Sequence, residues 1–191
     1  LLKTERLVLN VMQRMSGIST LSYRYASELQ GLSTKILDTR KTTPLNRYIE
    51  KWAVRIGGCY NYRNGLYDRY MIKDNHIEAC GSISKSIKAV LKHQAETNRK
   101  DYEITIEVKN LVELEEVLNI GNINRIMFDN FEIPLLKEAI LMTEKRFETE
   151  ASGGVNLETL RQIALTGVDF ISVGALTHSA GSLDLSLKIH R

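Results

Sequence analysis

The sequence predicts an α/β domain in which parallel strands alternate with helices and form an incomplete barrel of six or seven strands, of the TIM type. Short apolar segments of strand length alternate with longer segments of helical periodicity, at roughly 25 to 35 residues per unit. Strands joined through helices pair in parallel with right-handed crossovers, so the sheet either stays open or closes on itself. Six strands in 191 residues are too few for a complete barrel of about 250 residues. An open doubly wound sheet is the alternative that periodicity leaves open.

Each helix has a periodic apolar face or a recognisable boundary residue. The first helix has Leu7, Val11 and Met15 at helical spacing and is expected to end before Gly31. Trp52 is expected in the core, on the apolar face of the second helix, and Pro134 marks the start of the fifth. Helices are predicted over residues 5–30, 45–56, 82–97, 111–118, 135–145 and 157–166.

The segments between these helices are short and apolar, which is typical of buried parallel strands. A turn or a glycine-rich stretch separates most of them from the neighbouring helix. Strands are predicted over residues 35–38, 69–73, 102–108, 125–129, 147–151 and 168–173.

Composition excludes several classes of protein. A net charge of +3 spread along the chain is too small for a nucleic-acid binder that depends on bulk charge. No apolar run approaches the roughly 20 residues that a membrane helix needs. Cys59 and Cys80 have no metal-ligand spacing and indicate a reducing cytoplasm. The sequence has no signal peptide and begins with Leu1 instead of Met, so we expect it to be part of a longer chain, with residues 1–30 leading from a preceding domain.

Cations follow the first two predicted strands. Arg40 and Lys41 come after the first strand, Lys73 ends the second, and Arg63 lies in the loop between them. Ligands of parallel α/β folds bind at the carboxyl ends of the strands, where these residues are expected to meet. Clustered cations repel one another unless an anion binds among them. The sequence therefore predicts an anion site, with arginine suited to carboxylate or phosphate.

Carboxylates and glycines follow the later strands. Glu107 and Asp129 end the third and fourth strands and could hold Mg²⁺ through water or face a cationic transition state. Glu150, counted with the residues that follow the fifth strand although it falls near the end of the predicted range, is expected at the same edge. Glycine lets backbone N–H groups approach a phosphate closely. The predicted phosphate loops contain Ser152, Gly153, Gly154 and Gly174.

Several motifs together resemble the quinolinate phosphoribosyltransferase family (nicotinate-nucleotide pyrophosphorylase, carboxylating). The most specific are the strings DTRKTTP at 38–44 and IKDNH at 72–76. FDNF at 128–131, EASGG at 150–154 and VGALTHS at 173–179 follow in order. The resemblance covers essentially all 191 residues.

The resemblance implies a fold and an activity. The family's C-terminal domain is an incomplete α/β barrel, and its N-terminal α/β sandwich would be almost entirely missing from this chain. The activity would be transfer of phosphoribose from phosphoribosyl pyrophosphate to quinolinate with decarboxylation, giving nicotinate mononucleotide, CO₂ and pyrophosphate in NAD synthesis. The family needs Mg²⁺ and acts as a dimer or a multiple of dimers, so the partners implied are the two substrates and a second copy, with no nucleic acid and no membrane.

The resemblance also implies a role for each matching residue. The quinolinate site would take Arg6 from the neighbouring subunit, together with Arg40, Lys41, Tyr62, Arg63 and Lys73. Lys41, Lys73, Glu107 and Asp129 would be catalytic. Glu107 and Asp129 would lie beside the ribose and the metal–pyrophosphate, as metal ligands directly or through water. The 5′-phosphate would contact Ser152, Gly153, Gly154 and Gly174.

One position departs from the family pattern. Most members have His where this chain has Tyr62, which is neutral at pH 7 and removes a potential positive charge from the site. Two other classes of function stay open. The chain could act on another phosphorylated or dicarboxylate metabolite, like a relative linked to molybdate transport, or it could be a non-catalytic binding or assembly domain.

Overall fold

A computed structural model describes residues 3–188. Leu1, where the leading helical segment was predicted to begin, lies outside the described residues. The helices are α1 (Glu5–Glu28), α2 (Arg47–Ile56), α3 (Asp74–Cys80), α4 (Ile83–Glu96), α5 (Leu111–Ile120), α6 (Ile133–Thr143), α7 (Leu157–Ala164) and α8 (Ala175–His178). The strands are β1 (Lys35–Leu37), β2 (Tyr70–Ile72), β3 (Ile104–Val108), β4 (Arg125–Asp129), β5 (Glu148–Ser152) and β6 (Phe170–Ser172).

The six strands form one parallel sheet whose order is that of a barrel. The order is β1-β6-β5-β4-β3-β2, so β1 pairs with the last strand and each other strand pairs with its neighbour in sequence. A doubly wound sheet reverses its order at a switch point, and this sheet does not. Tyr60 makes an isolated parallel bridge with Leu37 on the free side of β1. The predicted incomplete barrel of six or seven strands is therefore confirmed.

Alternate residues of the strands face two different environments, because successive side chains point to opposite faces. One set packs beneath the helices and is apolar: Ile104, Ile106, Ile126, Phe128, Ala151 and Ile171. The other set lines the inside of the barrel and is mostly polar: Glu107, Met127, Asp129, Ser152 and Ser172. The hydrophobic core therefore lies between the sheet and the helices, whereas mostly polar side chains line the space enclosed by the strands.

The structure corrects the sequence prediction in three places. Helix α3 was not predicted, because its seven residues contain no apolar stripe. No helix was predicted over the four residues of α8 either. Trp52 is 57% exposed and lies outside the core, because α2 packs against α1 through Ala53 and Val54 on its other face. Within residues 3–188, no helix combines the length and hydrophobicity required to cross a bilayer.

Candidate functional site

A cavity of about 1080 Å³ opens where the carboxyl ends of the strands meet. Every predicted site residue except Arg6 lines it, so the structure gathers side chains that are far apart in the sequence. Arg6 lies on an exposed part of α1 and does not reach this cavity. Lining residues that the sequence did not single out include Thr39, Arg69, Met71, Met127, Asn130 and Ser172.

Three of the cavity cations lack a carboxylate partner. Within the described part of the chain, Arg40, Lys41 and Arg63 have no carboxylate at ion-pair distance. The Arg63 guanidinium contacts the Met71 sulfur at 3.1 Å. Burial, together with the nearby charge of Arg40, lowers the pKa of Arg63, although Tyr62 and carboxylates oppose this. An anion bound among these cations would relieve their mutual repulsion.

Asp38, at the end of β1, holds the loop that carries Tyr62 and Arg63. Its buried carboxylate accepts hydrogen bonds from Lys51 Nζ at 2.5 Å, Asn61 Nδ2 at 2.6 Å and the Tyr62 N–H at 2.8 Å. Burial raises the pKa of Asp38 and lowers that of Lys51, while their ion pair opposes both shifts. In the sequence, Asp38 stood out only as the first residue of the DTRKTTP string, and Lys51 was not singled out.

Tyr62 extends into the barrel, where its ring contacts two guanidinium groups. Its hydroxyl is 2.6 Å from Thr105 Oγ1, and its ring centre is 5.1 Å from both Arg69 and Arg125. Burial raises the pKa of Tyr62, so its hydroxyl stays neutral at pH 7. A neutral aromatic face attracts cations, whereas a protonated histidine here would repel them.

Arg125 forms the floor of the barrel interior. It pairs with Glu148 at 2.7 Å and with Glu150 at 3.0 Å, and its guanidinium lies 3.9 Å from the Phe170 ring centre. The prediction that Glu150 follows the fifth strand at the rim was wrong. β5 extends to Ser152, so Glu150 is a fully buried strand residue. Burial raises its pKa, although Arg125 and a hydrogen bond from Ser172 favour the charged form.

Glu107 and Asp129, the two predicted carboxylates, both line the cavity and both have partners. Glu107 pairs with Lys73 at 2.7 Å, so Lys73, unlike Arg40, Lys41 and Arg63, has a carboxylate that balances its charge. Asp129 accepts hydrogen bonds from Ser152 Oγ at 3.1 Å and Asn130 Nδ2 at 3.0 Å. No group of three or more acidic, His or Cys side chains suited to a metal occurs among residues 3–188. Mg²⁺ would therefore need oxygen ligands from a substrate or water as well.

The glycine loop after β5 is shaped for close approach of a ligand. Gly153 and Gly154 both have positive φ, at +94° and +58°. A Cβ atom at Gly153 would lie 2.1 Å from Asn130 Oδ1, so only glycine fits there without movement. Within residues 3–188, the N–H groups of these two glycines donate no hydrogen bond to the protein, which leaves them available to an anion.

Two histidines at the cavity edge form local hydrogen bonds. His76 Nδ1 accepts from the Lys73 N–H at 2.9 Å, within the capping box of α3. His178 Nδ1 lies 2.7 Å from Ser179 Oγ, on the helix that begins just after Gly174. Because each ring is held by a neighbouring residue, we assign neither histidine an acid–base role.

Comparison with known proteins identifies close relatives. Residues 18–188 match the family described as quinolinate phosphoribosyl transferase, C-terminal domain. A tobacco (Nicotiana tabacum) protein named quinolinate phosphoribosyltransferase [decarboxylating] 2a, mitochondrial, is 47% identical over 97% of this chain and 56% of its own length. A Bacillus subtilis protein named probable nicotinate-nucleotide pyrophosphorylase [carboxylating] is 47% identical over 99% of this chain and 64% of its own.

Two solved structures superpose closely on this chain. The crystal structure of NadC from Streptococcus pyogenes superposes with a TM-score of 0.89 at 39% identity, over 98% of this chain and 64% of that one. The nicotinate-nucleotide pyrophosphorylase from Ehrlichia chaffeensis superposes with a TM-score of 0.87 at 41% identity. The chain spans only about 56% to 64% of the length of the tobacco, Bacillus and Streptococcus relatives.

Proposed function

Because the chain belongs to the quinolinate phosphoribosyl transferase family, we propose that it is the barrel part of an enzyme that joins quinolinate to phosphoribosyl pyrophosphate. The products are nicotinate mononucleotide, CO₂ and pyrophosphate, which makes the enzyme a pentosyltransferase of NAD synthesis. The names of the tobacco and Bacillus relatives support this reaction.

One observation carries the proposal: three cations that have no carboxylate partner among residues 3–188 line the same cavity as a glycine loop. Quinolinate has two adjacent carboxylates, which require several cations at once. Arg40 and Arg63 offer planar forks that bind carboxylates in two-point contacts, and Lys41 adds a point charge. The unbonded N–H groups of Gly153 and Gly154 suit the 5′-phosphate of the second substrate.

The reaction needs orientation and charge stabilisation more than a protein nucleophile. The pyridine nitrogen attacks the anomeric carbon, a C–N bond forms, and the bond to pyrophosphate breaks with oxocarbenium character. Glu107 and Asp129 stabilise the positive charge that develops on the ribose. The quaternised ring then draws electrons from the adjacent C2 carboxylate, which leaves as CO₂ while C2 takes a proton.

The residues present fit a Mg²⁺ ion that arrives with its phosphate ligands. Asp129 and Glu107 would hold it, directly or through water, because Mg²⁺ in such sites binds one or two carboxylates plus substrate phosphates. When bound, it neutralises the pyrophosphate leaving group.

We also propose a homodimer, or a multiple of dimers, in which Arg6 enters the neighbouring cavity. Exposed apolar side chains on α1 and α2 support it: Leu7, Val8, Met12 and Trp52 are all about half exposed or more. Arg6 is also exposed and directly precedes Leu7 on α1. Two free cysteines, Cys59 and Cys80, support a reducing, cytoplasmic setting, although several plant relatives are named as mitochondrial or chloroplastic.

Substitution of the cavity cations in the full-length protein tests this function. We expect Arg40→Ala and Arg63→Ala each to weaken quinolinate binding about 10- to 100-fold by calorimetry, the loss of one charged two-point contact. Arg55→Ala, on an exposed position of α2 outside the cavity, is the matched control.

Nicotinate, with one carboxylate, should bind the wild-type protein much more weakly than quinolinate. Assay of CO₂ release from labelled quinolinate then tests turnover. Wild-type affinity in both cavity variants, or equal binding of nicotinate and quinolinate, would exclude the proposed dicarboxylate site.

A further inference from the structure

We propose that Arg14 and Glu50 are positioning residues that fix the cation loop, residues 39–43, relative to α8, which lies beside this loop at the cavity mouth. Neither lines the cavity. The cation loop carries Arg40 and Lys41, and α8 follows Gly174, so the pair would set the distance between the acid site and one side of the phosphate site. The inference rests on the proposed function of those two parts.

Glu50 anchors the cation loop from α2. Its carboxylate is completely buried and accepts a hydrogen bond from Thr43 N–H at 3.1 Å through one oxygen. The other oxygen accepts from Arg14 Nε at 2.9 Å. A buried carboxylate is costly unless both oxygens are satisfied, and here the two donors come from the cation loop and from α1.

Arg14 connects the same carboxylate to α8. Its two terminal nitrogens donate to the carbonyl oxygens of Thr177 and Ala180. Thr177 Oγ1 in turn donates to the carbonyl oxygen of Lys41 at 2.8 Å. The contacts therefore close a ring that passes from Glu50 through Arg14 and α8 back to the cation loop.

The segment after α8 is also held against α1. A Cβ atom on Gly17 would lie 1.6 Å from the Gly181 carbonyl oxygen, so α1 and this segment touch through their backbones. Gln13 forms two hydrogen bonds with the segment. Its backbone carbonyl oxygen accepts from Leu183 N–H at 3.1 Å, and its side-chain Nε2 donates to the Leu185 carbonyl oxygen at 3.2 Å. Because α1 contacts both α8 and the segment after it, Arg14 of α1 connects the cation loop to this packed part of the structure.

A set of variants in the full-length protein separates positioning from simple stabilisation. Arg14→Met removes all three donors. Arg14→Lys keeps a positive charge beside Glu50 but lacks the planar fork that reaches both carbonyls. Thr177→Val keeps the side-chain shape and removes the hydroxyl that donates to the Lys41 carbonyl oxygen at 2.8 Å and, within α8's own first turn, to that of Gly174 at 3.3 Å. Arg161→Met is the matched control, since Arg161 also donates to a backbone carbonyl on α1, that of Glu28 at 2.6 Å, outside the cavity.

Hydrogen exchange gives a readout that does not depend on the proposed function. In Arg14→Met and Thr177→Val we expect faster exchange in residues 39–43 and 174–178 together, with the strands unaffected. The control should leave both segments protected. Faster exchange throughout the chain, or in only one of the two segments, would show an ordinary structural role and overturn the inference.

Substrate affinity gives the second readout. We expect Arg14→Met to weaken both phosphoribosyl pyrophosphate and quinolinate at least 10-fold, and Arg14→Lys to regain thermal stability but not this affinity. Affinities within twofold of the wild type, or an equal loss in Arg161→Met, would refute the inference. If the wild-type protein binds neither substrate, the proposed function fails instead, and hydrogen exchange alone decides the positioning role.

Discussion

Replacement of Gly153 by alanine should damage the phosphate site specifically. The residue has φ +94°, a region that side chains other than glycine rarely adopt. The added Cβ would lie 2.1 Å from Oδ1 and 2.4 Å from Cγ of Asn130. Both distances are far inside van der Waals contact, so either the glycine loop or the Asn130 side chain must move.

The size of the effect follows from two costs. A left-handed backbone costs alanine roughly 1–2 kcal/mol relative to glycine. Displacing Asn130 breaks its hydrogen bond to Asp129, at 3.0 Å, which is worth about 1 kcal/mol. The free variant relaxes by moving its loop, and the binding of phosphate must restore the original geometry. We therefore expect affinity to fall about 10- to 100-fold, since each tenfold corresponds to about 1.4 kcal/mol.

Calorimetric titration of the full-length protein with phosphoribosyl pyrophosphate and, separately, with quinolinate measures this effect. Gly167→Ala is the matched control: Gly167 has φ +89° and open space around its Cβ position, before β6 at the opposite end of the barrel. It should lose similar stability to urea and keep both affinities. Quinolinate should bind the Gly153→Ala protein within about threefold of the wild type, because the cation side of the cavity is unchanged.

Two results would refute this reasoning. If Gly153→Ala binds phosphoribosyl pyrophosphate as the wild type does, the glycine loop is not the phosphate site. If both substrates weaken equally, the cavity is not divided into an acid part and a phosphate part.

The remaining predictions concern the barrel interior. Tyr62→Phe loses the hydrogen bond to Thr105 but keeps the ring beside two guanidinium groups, so urea denaturation should show a loss of only about 1 kcal/mol in unfolding free energy. Tyr62→His should lose more unfolding free energy, and the loss should increase as the pH falls and the histidine gains a proton. Equal stability of the two variants would contradict the cation–π contacts. Burial raises the pKa of Glu150 above its ordinary 4.5, so the folded state binds this proton more tightly than the unfolded chain and the group's contribution to stability falls as pH rises above 4.5. Above pH 4.5, the unfolding free energy of Glu150→Gln should therefore fall less with rising pH than that of the wild type. An unchanged pH profile would contradict a raised pKa of Glu150.

Local patterns in the sequence were sufficient for most of the elements and for the composition of the cavity wall. The fourth strand was predicted with the bounds that the structure shows, and the predicted first helix ends two residues beyond the observed α1. Periodicity of 2 or 3.6 residues is a local property, so it can be detected without knowledge of the fold. Arg40, Lys73 and Gly153 could be assigned to one cavity because loops that follow parallel strands share one end of the sheet.

Only the tertiary structure decided which groups face each other. Trp52 has a large apolar side chain of the kind found in cores, but it lies on the exposed face of α2. The sequence of α2 alone does not show which of its two apolar faces is buried. The stacking of Tyr62 on Arg125, and the connection of Glu50 to α8 through Arg14, join residues far apart in the chain. Such contacts depend on strand register and on the closing of the sheet, which are set by the packing of the whole barrel.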